Sequence, residues 1–185
     1  MQTFTFTPGA LVASAHQTDL AKGIGIVSRA VAGRSSLPVL GNIFVATDQG
    51  RLRLAATNLE LSIACWIDST VETEGATTLP AKTVVDLVNS LPAQNVVLRL
   101  TERTQTTALA CGRVKSNIKG IAPDEFPVIP NLDPATALSA DAAQWKAGVG
   151  RVIVAAATDE ARPIMTGLLL VIAEGKATLA ASDGF

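Results

Sequence analysis

Two stretches of this chain carry one pattern at a fixed offset of 125 positions, and that repeat restricts the possible folds more than any other feature. LPVLGNIFVATDQGRLRLAATNLEL, which begins at Leu37, lands without a gap on RPIMTGLLLVIAEGKATLAASDGF, which begins at Arg162. Pro38 meets Pro163, Gly50 meets Gly175, and the block Leu54-Ala55-Ala56 meets Leu179-Ala180-Ala181. Close swaps fill much of the rest, among them Leu40/Met165, Ile43/Leu168, Arg51/Lys176, Thr57/Ser182 and Asn58/Asp183. Upstream, Leu20, Ile24, Val27 and Val31 form one helical stripe, and the same offset gives Trp145, Val149, Val152 and Ala156. Each copy reads as helix, Pro-containing loop, apolar strand, Gly turn and second strand. A period of this length is that of a domain, far above the 20–50 residues of solenoid units. The expected organisation is a whole domain at 1–130, with 1–10 as an N-terminal extension, followed by the first half of a similar domain at 131–185.

Within the first domain the pattern predicts short strands at 1–7 (Phe4 and Phe6 alternating with polar residues) and 11–16. A helix follows at 18–31, with Thr18 or Asp19 able to cap it. Strands are expected at 42–48, 51–57 and 61–68, then a loop at 71–78 and a helix at 81–91 started by Pro80. Three more strands, at 95–100, 106–111 and 113–119, complete the set, and the Pro-rich stretch 122–134 reads as the link between domains. Strand-helix-strands thus occurs twice within the first domain. The fold class is α+β, with two helices covering one side of antiparallel sheets.

Few side chains suit catalysis. The single histidine, His16, lies in a strand context, and the acidic pairs Asp124-Glu125 and Asp159-Glu160 fall in loops, where solvated charge is the ordinary role. Cys65 and Cys111 are isolated, with neither a Cys-x-x-Cys nor a His-x-x-x-His pair, so the sequence predicts no metal site and no cofactor. Gly23-Ile24-Gly25 lies within a helical pattern and lacks the third glycine of a dinucleotide loop. A small α+β enzyme using His16 or the acidic loops is the alternative reading. Both cysteines suit buried small hydrophobes in a reducing cytoplasm. No apolar run is long enough to span a bilayer, and MQTFTFTPG lacks the features of a signal peptide.

Net charge is −1, so any nucleic-acid role depends on where the cations sit rather than on their excess. Lys22 and Arg29 fall about 170–190° from the apolar stripe of the first helix, at 100° per residue. Lys82 opposes Val84 and Val88 on the second helix, and Arg34 follows the first helix in its loop. Side by side, the two helices would expose a mildly basic face.

The segments AVAGRSSLPVLGNIFV, LAATNLELSI, GATTLPAKTVVDLVNSLP, NIKGIAPDEFPVIP and LAASDGF closely resemble, in order, the bacterial beta sliding clamp family over 12–185. The resemblance implies a non-enzymatic processivity factor for the replicative DNA polymerase. Such clamps have three similar domains per chain, and two chains close head-to-tail into a ring with helices lining the hole. It implies duplex DNA as a partner for Lys22, Arg29, Arg34 and Lys82, while Asp159 stands where a polar uncharged DNA contact is expected. It also implies a pocket around Met165, Ser182, Gly184 and Phe185 for short linear motifs of polymerases, the clamp loader and repair proteins. The ring-closing edge of the first domain would lie near Ser116 and Ile118. On this resemblance the chain is an N-terminal portion ending inside the second domain, and two such half-domains could complete each other as a homodimer.

Overall fold

The computed structural model describes residues 9–33, 35–129, 139–159 and 161–184. It divides into two compact units, Met1–Asn131 and Leu132–Phe185.

The first unit runs β1 (Val12–His16), α1 (Gln17–Val27), β2 (Asn42–Asp48), β3 (Arg51–Thr57), β4 (Ser62–Ile67), β5 (Thr70–Thr73), β6 (Ala76–Pro80), α2 (Ala81–Ser90), β7 (Asn95–Thr101), β8 (Thr106–Cys111) and β9 (Val114–Lys119). The strands form two antiparallel sheets, ordered β5-β1-β7-β8-β9 and β4-β3-β2-β6. Each sheet turns alternate residues inward, as a period of two requires. Ala13, Val96, Leu98 and Leu109 from one sheet meet Ile43, Val45, Leu52 and Leu54 from the other. Leu20, Ile24 and Val27 of α1 join the same core with Val84 and Val88 of α2. At about 25 cal/mol per Å² of apolar surface, such a core is the main term holding the unit together. A buried hydrogen bond from Gln17 Nε2 to the Val88 carbonyl, 2.8 Å long, ties the start of α1 to α2.

Three local expectations need correction. The stretch 71–78 is not a loop: β5 and β6 occupy most of it, and the chain changes sheet at Gly75. Thr47 N donates to the Gly75 carbonyl (3.0 Å), and a Cβ at Gly75 would collide with the backbone of Gly9 and Leu11. Only a residue without a side chain lets these segments cross so closely. The first helix begins at Gln17 and is capped by neither Thr18 nor Asp19; His16 is the N-cap residue, without a side-chain cap bond. Asp19 instead lies in the first turn, where the helix dipole favours a carboxylate. The α-helix ends at Val27, and a 3₁₀ turn carries Ser28–Ala30.

The third correction concerns 122–134. Its first part belongs to the first unit rather than to a free connection. Pro123–Glu125 form a 3₁₀ turn, and the Phe126 ring packs on Phe44 with centroids 5.1 Å apart. Phe126 and Ile129 cover a second apolar cluster of Phe44, Ala46, Ala55 and Ala76. That cover explains why β2 is buried on both faces. The expected strand at 1–7 lies outside the described residues.

The second unit contains α3 (Ala142–Val152), β10 (Leu169–Ala173) and β11 (Lys176–Ala180). Adding 125 to the bounds of α1 gives those of α3, and the 3₁₀ turn Ser28–Ala30 maps onto Ile153–Ala155. The hairpin register repeats too: Phe44 pairs with Ala55, and Leu169 with Ala180. Gln49 and Gly50 have φ of 50° and 76°, matched by 51° and 72° at Glu174 and Gly175, the left-handed pair of a tight hairpin turn. Even loop bonds recur. Ala32 N donates to the Leu40 carbonyl at 3.1 Å, and Ala157 N to the Met165 carbonyl at 2.9 Å. What differs is coverage. Leu169, Leu170, Val171 and Ile172 are 43–62 % exposed, whereas the matched Phe44 and Val45 are 5 % or less.

Candidate functional site

Lys22, Arg29 and Lys82 are all exposed, on or just beyond two helices whose opposite faces fill the core. The core stripe of α1 (Leu20, Gly23, Ile24, Val27) fixes the helix rotation and so sends Lys22 outward. A close approach at Gly23 sets the depth: a Cβ there would lie 2.7 Å from Leu54 Cδ1 and 2.9 Å from Ile67 Cγ2. Arg29 leaves from the 3₁₀ turn, and Lys82 from the first turn of α2. Asp19 and Asp86 are exposed on the same helices and dilute the positive charge. Lys22 also borders a cleft between α1 and β4, with Asp19, Asp68, Ile26 and Trp66. Such a face can attract a polyanion weakly but cannot grip it. Arg34, expected to extend this face, lies outside the described residues.

The second group converges at the far end of the second unit's hairpin. Met165, half-buried, sits in the 3₁₀ turn Pro163–Thr166, and its amide donates to the Arg162 carbonyl at 2.9 Å. Ser182 and Gly184 follow β11, with the Gly184 amide donating to Ser182 Oγ at 3.0 Å. Arg162 Nη2 donates to the Asp183 carbonyl at 3.0 Å and so bridges the two segments. Sequence reasoning missed Arg162, because its partner Asp183 lies 21 positions away and is brought close only by the folded hairpin. Phe185 lies outside the described residues. Asp159 Oδ1 accepts from the Ala161 amide at 3.0 Å, a local loop bond.

Ser116 and Ile118 are on β9, which pairs with β8 alone and therefore forms a sheet edge. Ile118 is buried in the core and Ser116 is half-buried. What β9 offers outward is its backbone edge and the exposed Val114, Lys115, Asn117 and Lys119.

The groups of the enzyme reading do not assemble. His16 Nδ1 is hydrogen-bonded to Thr18 Oγ1 at 2.8 Å, at the surface. Asp124 and Glu125 are in the turn before Phe126, and Glu160 lies outside the described residues. Among the described residues, no three His, Cys, Asp or Glu side chains group to hold a metal ion. Cys65 and Cys111 are free thiols, and burial pushes the Cys65 thiol above its ordinary range. No helix among the described residues is long and apolar enough to cross a membrane.

A strand-helix-hairpin module recurs in the chain, with open sheet edges and a thinly cationic helix face. The family model of the DNA polymerase III beta subunit, N-terminal domain, matches residues 13–130, and the chain belongs to that family. It is 36% identical over 171 residues to the beta sliding clamp of Synechococcus elongatus, covering 91% of this chain and 45% of the relative. It is 32% identical to that of Synechocystis sp. over 176 residues, with the same coverages. A Eubacterium rectale structure described as a DNA polymerase III beta subunit superposes with a TM-score of 0.87 at 29% identity, covering 94% of this chain and 47% of that one. A Pseudomonas aeruginosa sliding clamp bound to griselimycin gives 0.82 at 26%, covering 95% and 48%. The chain thus spans about half the length of the relatives it matches.

Proposed function

We propose that this chain supplies helix-lined wall to a ring that encircles duplex DNA and tethers the replicative polymerase, acting as a processivity factor without catalysis of its own. One observation carries this reading: Lys22, Arg29 and Lys82 stand exposed on the side of the helices away from the core, in a module the chain repeats. A ring held by its topology has to slide, so few and weak phosphate contacts suit it better than many. The family relationship favours this over the enzyme using His16 or the acidic loops.

Three surfaces have assigned partners in this reading. Lys22, Arg29, Arg34 and Lys82 face duplex DNA. The edge of β9, around Ser116 and Ile118, closes the ring with a second chain. Met165, Ser182, Gly184 and Phe185 hold short linear motifs of the polymerase, clamp loader and repair proteins, by packing apolar peptide side chains in a groove. The work is done in the cytoplasm, where bacterial DNA is replicated.

The test is affinity for a short duplex as a function of salt. With about four phosphates neutralised, log K should fall with log salt at a slope near −3.6, and Kd should lie in the ~10⁻⁴–10⁻⁶ M range of non-specific binding. Lys22→Ala/Arg29→Ala/Lys82→Ala should flatten that slope to about −0.9, the contribution left to Arg34. Tight, sequence-selective binding, or a slope unmoved by the triple substitution, would exclude this surface as the DNA wall.

A second association is favoured by the uncovered apolar face of β10. Two copies of the second unit can cover each other's hairpins, as the first unit covers its own with further strands and α2. Light scattering after size exclusion should give a dimer at high concentration, and a strict monomer contradicts this pairing.

A further inference from the structure

The two copies of one turn, compared at the repeat offset, differ where the scaffold does not require it. In the first unit Thr57 Oγ1 accepts from the Leu59 amide at 3.0 Å; in the second, Ser182 Oγ accepts from the Gly184 amide at the same distance. The frame is therefore kept. Asn58 closes the first copy itself, its Oδ1 accepting from the amides of Glu60 (3.0 Å) and Leu61 (2.7 Å). Leu59 then projects into solvent at a φ of 77°, a conformation costly for leucine.

The second copy is held differently. Arg162 Nη2 donates to the Asp183 carbonyl at 3.0 Å, across 21 positions of sequence. Its guanidinium also fills the space beside Gly184: a Cβ there would lie 2.7 Å from Nη1 and 3.2 Å from Cζ. Gly184 has a φ of 94°, which glycine adopts without strain. Arginine and glycine thus replace the leucines at 37 and 59, and the side chain that would project over the turn is gone. The same Arg162 carbonyl accepts from the Met165 amide, so one residue touches both segments of the peptide site.

We propose that Arg162 is a positioning residue of the peptide site: its guanidinium clasps the 182–184 turn and holds Ser182 and Gly184 in register with Met165. This rests on the peptide-site reading above. A guanidinium suits the task because its planar fork is pre-organised, whereas a lysine ammonium offers donors on a flexible stem.

The test uses the whole chain, with griselimycin as the probe ligand. Arg162→Ala should lower the amide order parameter of Gly184 from about 0.85 to below about 0.6. It should also weaken griselimycin binding about fivefold, the loss of one charge-assisted hydrogen bond at the surface, with the thermal midpoint unchanged. Arg162→Lys, keeping the charge and N–H donors but losing the planar fork, should recover part of both. Leu37→Ala, at the matched position of the first unit, should change neither. A Gly184 amide that stays rigid in Arg162→Ala would overturn the clasp, as would griselimycin affinity within about twofold of the unmodified chain. If the unmodified chain fails to bind griselimycin, the peptide-site reading fails, and the order parameter alone decides the clasp.

Discussion

At Gly23 a missing side chain decides how closely α1 lies on the sheet. The nearest atoms to a Cβ there belong to Leu54 and Ile67, both in the core. Gly23→Ala should destabilise the first unit by about 1–3 kcal/mol, the usual cost of overpacking, read as a lower urea midpoint. Gly25, two positions on, has open space around it, and Gly25→Ala should stabilise by about 0.5–1 kcal/mol through helix propensity. Cys65 gives a third expectation at this scale. Burial raises its thiol pKa, so little thiolate forms near neutral pH, and iodoacetamide should modify it more slowly than a small free thiol. Arg53 shows what the sequence hid. It is 3 % exposed on the outer face of β3, its guanidinium 5.5 Å from the Trp66 ring centre, while Trp66 Nε1 donates to Asp48 at 2.6 Å. Desolvation lowers the Arg53 pKa, and Asp48 partly offsets this.

Among elements, legibility followed periodicity. The stripes of α1 and α3, and the Gly turns at Gly50 and Gly175, could be placed from residue spacing, because each pattern is local and each recurs. The polar stretch of β5 and β6 could not. Thr77 and Thr78 are wholly buried although their side chains look like loop chemistry, because β6 pairs with β2 and Thr78 Oγ1 exchanges hydrogen bonds with Asn42 and Ile121. Nor did spacing reveal that residues after Pro123 dock onto β2, since the prolines read as a linker and the partner, Phe44, lies far off in sequence. Phe126→Ala should therefore cost the first unit about 1–2 kcal/mol, less than for a fully buried phenylalanine because this ring is half-buried. Denaturant unfolding followed by Trp66 fluorescence in a Trp145→Phe background would read that loss, and an unchanged midpoint would return 123–129 to the status of a loose connection. The cationic positions were readable from helix geometry; Arg162 was not, as its partner is brought close only by the folded hairpin.

For the whole molecule, the account joins a repeated module to a polyanion held weakly. The repeat follows from matched bounds, register and turn angles, and the proposed DNA-facing role belongs to one side of it. Chemical-shift mapping of the full 185-residue chain titrated with a short duplex at low salt tests that role most directly. The account predicts shifts around Lys22, Arg29 and Lys82 that fade as salt is raised, with the outer face at Phe44, Arg53 and Phe126 silent. Shifts centred on that outer face, or a helix face unmoved at millimolar duplex, would contradict it.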